Sequence, residues 1–111
     1  MRDDRARIQD MLEAIEKIER YAARGRDAFL SDELLQVWVI HHLQIVGEAA
    51  ARLSPALWER HAELPWADIV ALRNVVVHEY FGIDLSEIWD TVQRDVPELK
   101  RNLLAIADEV T

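Results

Sequence analysis

Residues 65–82 read PWADIVALRNVVVHEYFG, and how that stretch is read decides the fold. Val75-Val76-Val77 is a β-branched run, and IVALRNVVVHEY has the composition of a buried strand. A strand needs a partner, because a lone one leaves its backbone N–H and C=O groups unpaired. No second strand is legible in the chain, the segment is too long for one strand, and both flanks carry helical spacing. The stretch is therefore predicted to be a helix buried on most sides, opened by Pro65 and closed by Gly82.

Upstream, Ser54-Pro55 is a cap followed by a first-turn proline, so SPALWERHA predicts a short helix. Before it, Ser31 is predicted to cap a helix running to about Arg52, with Leu35, Trp38, Val39, Leu43, Val46 and Ala50 on its inner face. Asp3 or Asp4 caps a first helix with Ile8, Met11, Leu12, Ile15, Ile18 and Ala22 in one stripe, and Gly25 ends it. Downstream, Asp84 with Glu87 three residues later is a capping box. Asp95-Val96-Pro97-Glu98 repeats that signature, so the helix either kinks there or gives way to another that runs to the C-terminus. The predicted architecture is all-α, an antiparallel bundle of about four long helices plus short ones. One domain spans residues 1–111.

Composition agrees. A chain of 111 residues, 50% hydrophobic and 31% charged, can bury one core but not two. Three Gly and three Pro leave little for long loops. Without cysteine there is no disulfide framework, thiolate metal site or cysteine nucleophile. The opening MRDDRARIQD lacks the apolar core of a signal peptide, and no apolar run approaches membrane-spanning length. A cytoplasmic protein without a membrane partner is expected.

The net charge is −8. Residues 1–30 balance at seven basic and seven acidic groups, whereas residues 31–83 and 84–111 each carry three against seven. That argues against nucleic-acid capture by bulk charge, which needs clustered Lys and Arg.

The polar residues of 65–82 carry the chemistry. On a continuous helix with Arg73 at zero, Val77, Val70 and Phe81 fall within about 80°, with Asn74 near 100°, His78 near 140° and Tyr80 near −20°. Arg73, Asn74, His78 and Tyr80 thus share a wall with large apolar residues, and a buried guanidinium needs a partner. In a purely structural arrangement Arg73 pairs with a carboxylate such as Glu48, and His78 bonds a carbonyl near the helix end. In a functional one Arg73 forks onto phosphate oxygens, His78 moves protons near neutral pH, and Asn74 orients one of them. Glu48, flanked by Gly47 and Ala49-Ala50 where a close helix approach is expected, is the residue to anchor Arg73. Adjacent His41 and His42 point about 100° apart and have no third ligand at useful spacing, so no metal site is assigned. His61 is expected to be a solvated surface residue, and Trp38, Trp58, Trp66 and Trp89 are expected to pack in the core or a subunit seam.

Arg73-Asn74-Val75-Val76-Val77-His78-Glu79-Tyr80 forms an R-x4-H-x-Y motif. With it stand Val46-Gly47-Glu48-Ala49-Ala50, Leu64-Pro65-Trp66, His78-Glu79-Tyr80-Phe81-Gly82-Ile83-Asp84, Trp89 and Val96-Pro97-Glu98-Leu99. The ordered set covers most of residues 34–104 and resembles the HepT-like toxins of the HEPN ribonuclease superfamily, found in type VII toxin–antitoxin modules. The resemblance implies an all-helical homodimer with two motifs facing each other across the seam. It also implies metal-independent RNA cleavage that needs no cofactor. His78 would serve as base toward a ribose 2′-OH or as acid toward the leaving 5′ oxygen, and Arg73 would stabilise charge on the phosphorus oxygens. Tyr80 would receive AMP from a cognate MntA-like nucleotidyltransferase antitoxin, adding bulk and negative charge beside Arg73. Relatives often carry a second basic residue where this chain has Val75. That departure implies weaker RNA affinity. It keeps open a catalytically weak or inactive nucleotide-binding partner of a nucleotidyltransferase.

Overall fold

The computed structural model describes residues 3–75 and 84–110. Every regular element among them is helical: α1 (Asp4–Ala22), α2 (Arg26–Ser31), α3 (Glu33–Ala51), α4 (Pro55–Arg60), α5 (Trp66–Ala71), α6 (Leu85–Asp90) and α7 (Val96–Val110). A 3₁₀ turn, Leu72–Asn74, follows α5, and a π-helical stretch, Thr91–Asp95, joins α6 to α7 without a break. The all-α expectation holds.

Local chemistry sets the helix ends. The Asp3 carboxylate accepts from Ala6 N at 3.0 Å and starts α1. Asp4 does something else: its two oxygens accept from Ser54 N at 2.8 Å and Ser54 Oγ at 2.6 Å, tying the start of α1 to the start of α4. Ser54 Oγ in turn accepts from Leu57 N, as an N-cap should. Gly25 takes φ 96°, which a side chain would resist, and turns the chain from α1 into α2. The cap of α3 is Asp32 rather than Ser31, since Ser31 Oγ donates back to the Asp27 carbonyl at 2.8 Å. Asp84 Oδ1 accepts from Ser86 and Glu87 N and starts α6.

Helix α1 lies antiparallel to both α3 and α7. Trp38, early in α3, donates to the Lys17 carbonyl late in α1, while Asp4 at the start of α1 holds Ser54 just past α3. Lys100, early in α7, reaches Glu19 late in α1 at 2.8 Å. Ile8, Met11, Ile15 and Ile18 of α1 are buried among Val39, Leu43, Val46, Leu103 and Ile106. Each such side chain contributes about 1.5–3 kcal/mol relative to exposure. Trp66 and Trp89 are core residues, with Trp58 stacked on Trp66 at 5.7 Å and Trp89 tilted against Phe29 at 5.5 Å.

One larger expectation changes. Residues 65–82 do not continue as one α-helix: α5 tightens to 3₁₀ at Leu72, and Val75 is extended at φ −71°, ψ 124°. The shared arc drawn for Arg73, Asn74, His78 and Tyr80 assumed an unbroken helix, so it does not hold. At the other end the second alternative is met: α6 gives way, through the π-helical stretch, to α7, which starts at Val96 and runs to Val110. The proline ring would strike the carbonyl four residues back, and the wide turn at Thr91–Asp95 absorbs the conflict. No described helix is long and apolar enough to cross a membrane.

Candidate active site

The turn that carries Arg73 is fixed by α3. A Cβ added at Gly47 would lie 2.4 Å from Arg73 N, 3.0 Å from the Val70 carbonyl oxygen and 3.1 Å from Arg73 Cα. All three are backbone atoms, so the α3 surface and the 3₁₀ turn meet without a side chain between them. Gly47 is what permits the contact. One turn earlier on α3, Gln44 Nε2 donates to the Val75 carbonyl, while Val75 N donates to the Leu72 carbonyl at 3.2 Å. The backbone groups released where the helix stops are thereby satisfied.

Helix α3 also supplies the charges around Arg73. Glu48 Oε2 lies 3.8 Å from Arg73 Nη1, and Glu48 Oε1 accepts from Arg52 Nε at 3.0 Å. The expected Glu48–Arg73 pairing is thus present. Its setting differs from expectation: the Arg73 side chain is 44% exposed and Asn74 is exposed rather than buried. An open guanidinium on a rigid turn can fork onto an incoming anion with little reorganisation. His78 and Tyr80 lie outside the described residues.

Sequence reasoning passed over Arg52 and Gln44. Both left a signal, since Gln44, Glu48 and Arg52 recur at four-residue spacing on one α3 face. The same face continues toward the start of α3 through His41, Val37 and Leu34, all within about 40° of Glu48 on the helix. Leu34 is 81% exposed and Val37 46%, so the face begins with two exposed apolar side chains, and His41 and Gln44 separate them from the arginine pair.

The other histidines are occupied elsewhere. His42 is buried against Trp38, with ring centroids 4.5 Å apart. Its Nδ1 sits 2.7 Å from the Trp38 carbonyl, which only accepts, so Nδ1 carries the hydrogen. Burial lowers its pKa from 6.5, partly offset by that bond, with His41 and Lys17 adding smaller downward pushes. His61 is not the solvated residue expected. It is only 15% exposed, with Nε2 2.9 Å from Glu109 of α7, though off the line of a hydrogen bond, and Nδ1 3.7 Å from Glu63.

On its other side the α5 segment borders a groove of about 370 Å³ against the π stretch and α7. Leu64, Ile69 and Leu99 form part of its floor, and Glu63, Asp68, Asp95 and Glu98 ring it. Its charge is wrong for a polyanion.

The chain belongs to the HepT-like ribonuclease family, whose model, described as "Ribonuclease HepT-like", matches residues 11–106. It is similar to the "Probable ribonuclease HepT" of Thermococcus cleftensis, 37% identical over 94 residues that cover 84% of this chain and 86% of that one. A "Putative RNase" of Caldanaerobacter subterraneus subsp. tengcongensis is 32% identical over 107 residues, 96% of each chain. A "Gamma-glutamylcyclotransferase and putative RNase" of Methanocaldococcus jannaschii is 34% identical over 110 residues, 98% of this chain. This chain spans half the length of that last relative. No solved structure matches it.

Proposed function

We propose that this chain is a metal-independent RNA endonuclease acting as a homodimer, the toxin of a toxin–antitoxin module in the cytoplasm. The observation that carries the reading is Arg73: a half-exposed guanidinium on a turn locked to α3 through Gly47, in a chain of a ribonuclease family. Arg73 offers N–H donors to the charge that develops on the phosphorus oxygens. His78 takes the proton from the attacking 2′-OH, and the partner subunit's His78 gives one to the leaving 5′ oxygen. In an in-line displacement the attacking and leaving oxygens lie on opposite sides of the phosphorus, so one imidazole is poorly placed to serve both and two copies divide the proton transfers. The exposed Leu34–Val37 strip on the arginine-bearing face supports a second copy docking there.

Tyr80, two residues beyond His78, is the site at which a cognate MntA-like nucleotidyltransferase antitoxin attaches AMP. The phosphate of the adduct competes for Arg73 and excludes RNA. The test is cleavage of a labelled RNA in chelator. His78→Ala should lower the rate by about 10²–10⁴ with an unchanged melting curve, and co-expression with the neighbouring transferase should add AMP mass to Tyr80. A fully active His78→Ala protein sinks the catalytic assignment, and an unmodified Tyr80 beside an active transferase sinks the regulatory one.

A further inference from the structure

Glu48 divides its carboxylate. One oxygen lies 3.0 Å from Arg52 Nε and the other 3.8 Å from Arg73 Nη1. A single two-oxygen anion therefore spans two guanidiniums that lie 21 positions apart in sequence. Packing sets the distance between their backbones, because Gly47 holds the Arg73 backbone against the helix that bears Arg52, and the Glu48 carboxylate then draws the two side chains together. A phosphodiester has the same net charge as a carboxylate and also presents two anionic oxygens. Nothing commits Glu48 to its present role: its side chain is 49% exposed, Arg52 56% and Arg73 44%. Ion pairs this open to water are weak and readily exchanged. Arg52 closes α3 as its C-cap, where the helix dipole favours a cation whether or not Glu48 is paired with it.

We propose that Arg52 is a second phosphate-contacting residue, and that Glu48 occupies both guanidiniums in the free protein until an RNA phosphodiester displaces it. The proposal rests on the RNA-cleaving reading of Arg73. It supplies from α3 the second positive charge that the motif lacks at Val75. Glu48 is then a placeholder as well as an anchor: it pre-sets the arginine pair at the spacing an incoming phosphate needs.

The test uses the full chain and a labelled RNA made uncleavable by 2′-O-methylation, with affinity measured across a salt series and folding checked by thermal melting. Arg52→Ala should weaken binding about tenfold and flatten the plot of log affinity against log salt by about 0.7, the loss of one phosphate contact on a single strand. Arg52→Lys should restore the slope. Glu48→Gln should tighten binding several-fold, and that gain should vanish when Arg52 is also Ala. If Arg73→Ala weakens binding while Arg52→Ala changes neither affinity nor slope, this proposal falls and the RNA reading stands. A Glu48→Gln protein that binds more weakly also overturns it, leaving Glu48 a prop. If Arg73→Ala binds RNA as the parent does, the RNA reading itself fails and takes this proposal with it.

Discussion

The α5 segment and its 3₁₀ turn have two borders, and they are built to different tolerances. Toward α3, backbone meets backbone, with Gly47 admitting Arg73 N to where a Cβ would stand. Toward α7 the segment leaves an open groove of about 370 Å³ ringed by four carboxylates. The tight border holds the only arginine pair bridged by one carboxylate among the described residues, and the loose border holds charges that repel RNA. Packing precision has gone to the side where a guanidinium must be aimed. A groove ringed by carboxylates needs no such aim to turn a polyanion away.

The comparison can be broken most forcefully at Gly47. Ala normally stabilises a helix interior by about 0.5–1 kcal/mol over Gly. Here its Cβ would meet backbone, and overpacking of that kind costs about 1–3 kcal/mol. Gly47→Ala should therefore melt earlier than the parent. If the turn shifts by a fraction of an ångström to make room, cleavage should fall at least tenfold, since misplacing a catalytic group by ~1 Å costs up to about 10²-fold. A Gly47→Ala protein that is both more stable and fully active would mean the tight border is incidental.

A smaller effect should come from pH, acting on α3 from within. Burial favours neutral His42, so its folded pKa lies below 6.5 and the unfolded chain binds the proton first. Its contribution to stability is complete above 6.5 and is lost as pH falls from 6.5 toward the lowered value. Urea unfolding at pH 7.5 and 5.5 should show that loss, and His42→Gln should remove this component of the slope. An unchanged slope in the variant would assign the acid sensitivity to other groups.

The smallest effect is expected at the loose border. Asp95→Asn with Glu98→Gln should move stability by no more than about 0.5 kcal/mol and leave cleavage of a short RNA unchanged. A marked rise in cleavage would show RNA passing over the groove and would undo the contrast between the two borders.

What the sequence disclosed follows the same division. Asp3, Ser54 and Asp84 cap helices through bonds to N–H groups two or three residues on, and such local chemistry is written in adjacent letters. Ser31 and Asp32 are both competent caps, and only the bond from Ser31 back to Asp27 decides between them. The Glu48–Arg73 pairing was legible because Gly47 and the alanines announce a close approach. The halt of the helix at Asn74 was not. It depends on Gln44 and Gly47, about 30 residues upstream, which seize the turn and its last carbonyl. His61 was misread for the same reason, its carboxylate neighbour Glu109 being 48 positions away. Of the candidate site, Arg73 and Glu48 were readable by pattern, whereas Arg52 left only its four-residue spacing from Glu48, a signal that gained meaning once one carboxylate was seen between two arginines.

The exposed strip of Leu34 and Val37 has a consequence in ionic strength. Two copies meeting there each bring a net charge of −8, so added salt screens their repulsion and favours association through the apolar contact. RNA held by arginines answers in the opposite sense, because salt competes for the phosphates. The proposed assembly and the proposed RNA capture would then draw on the same face of α3 with opposite appetites for salt. For the proposed dimeric ribonuclease, turnover is then expected to peak between dilute buffer, where the subunits would part, and brine, where the RNA would.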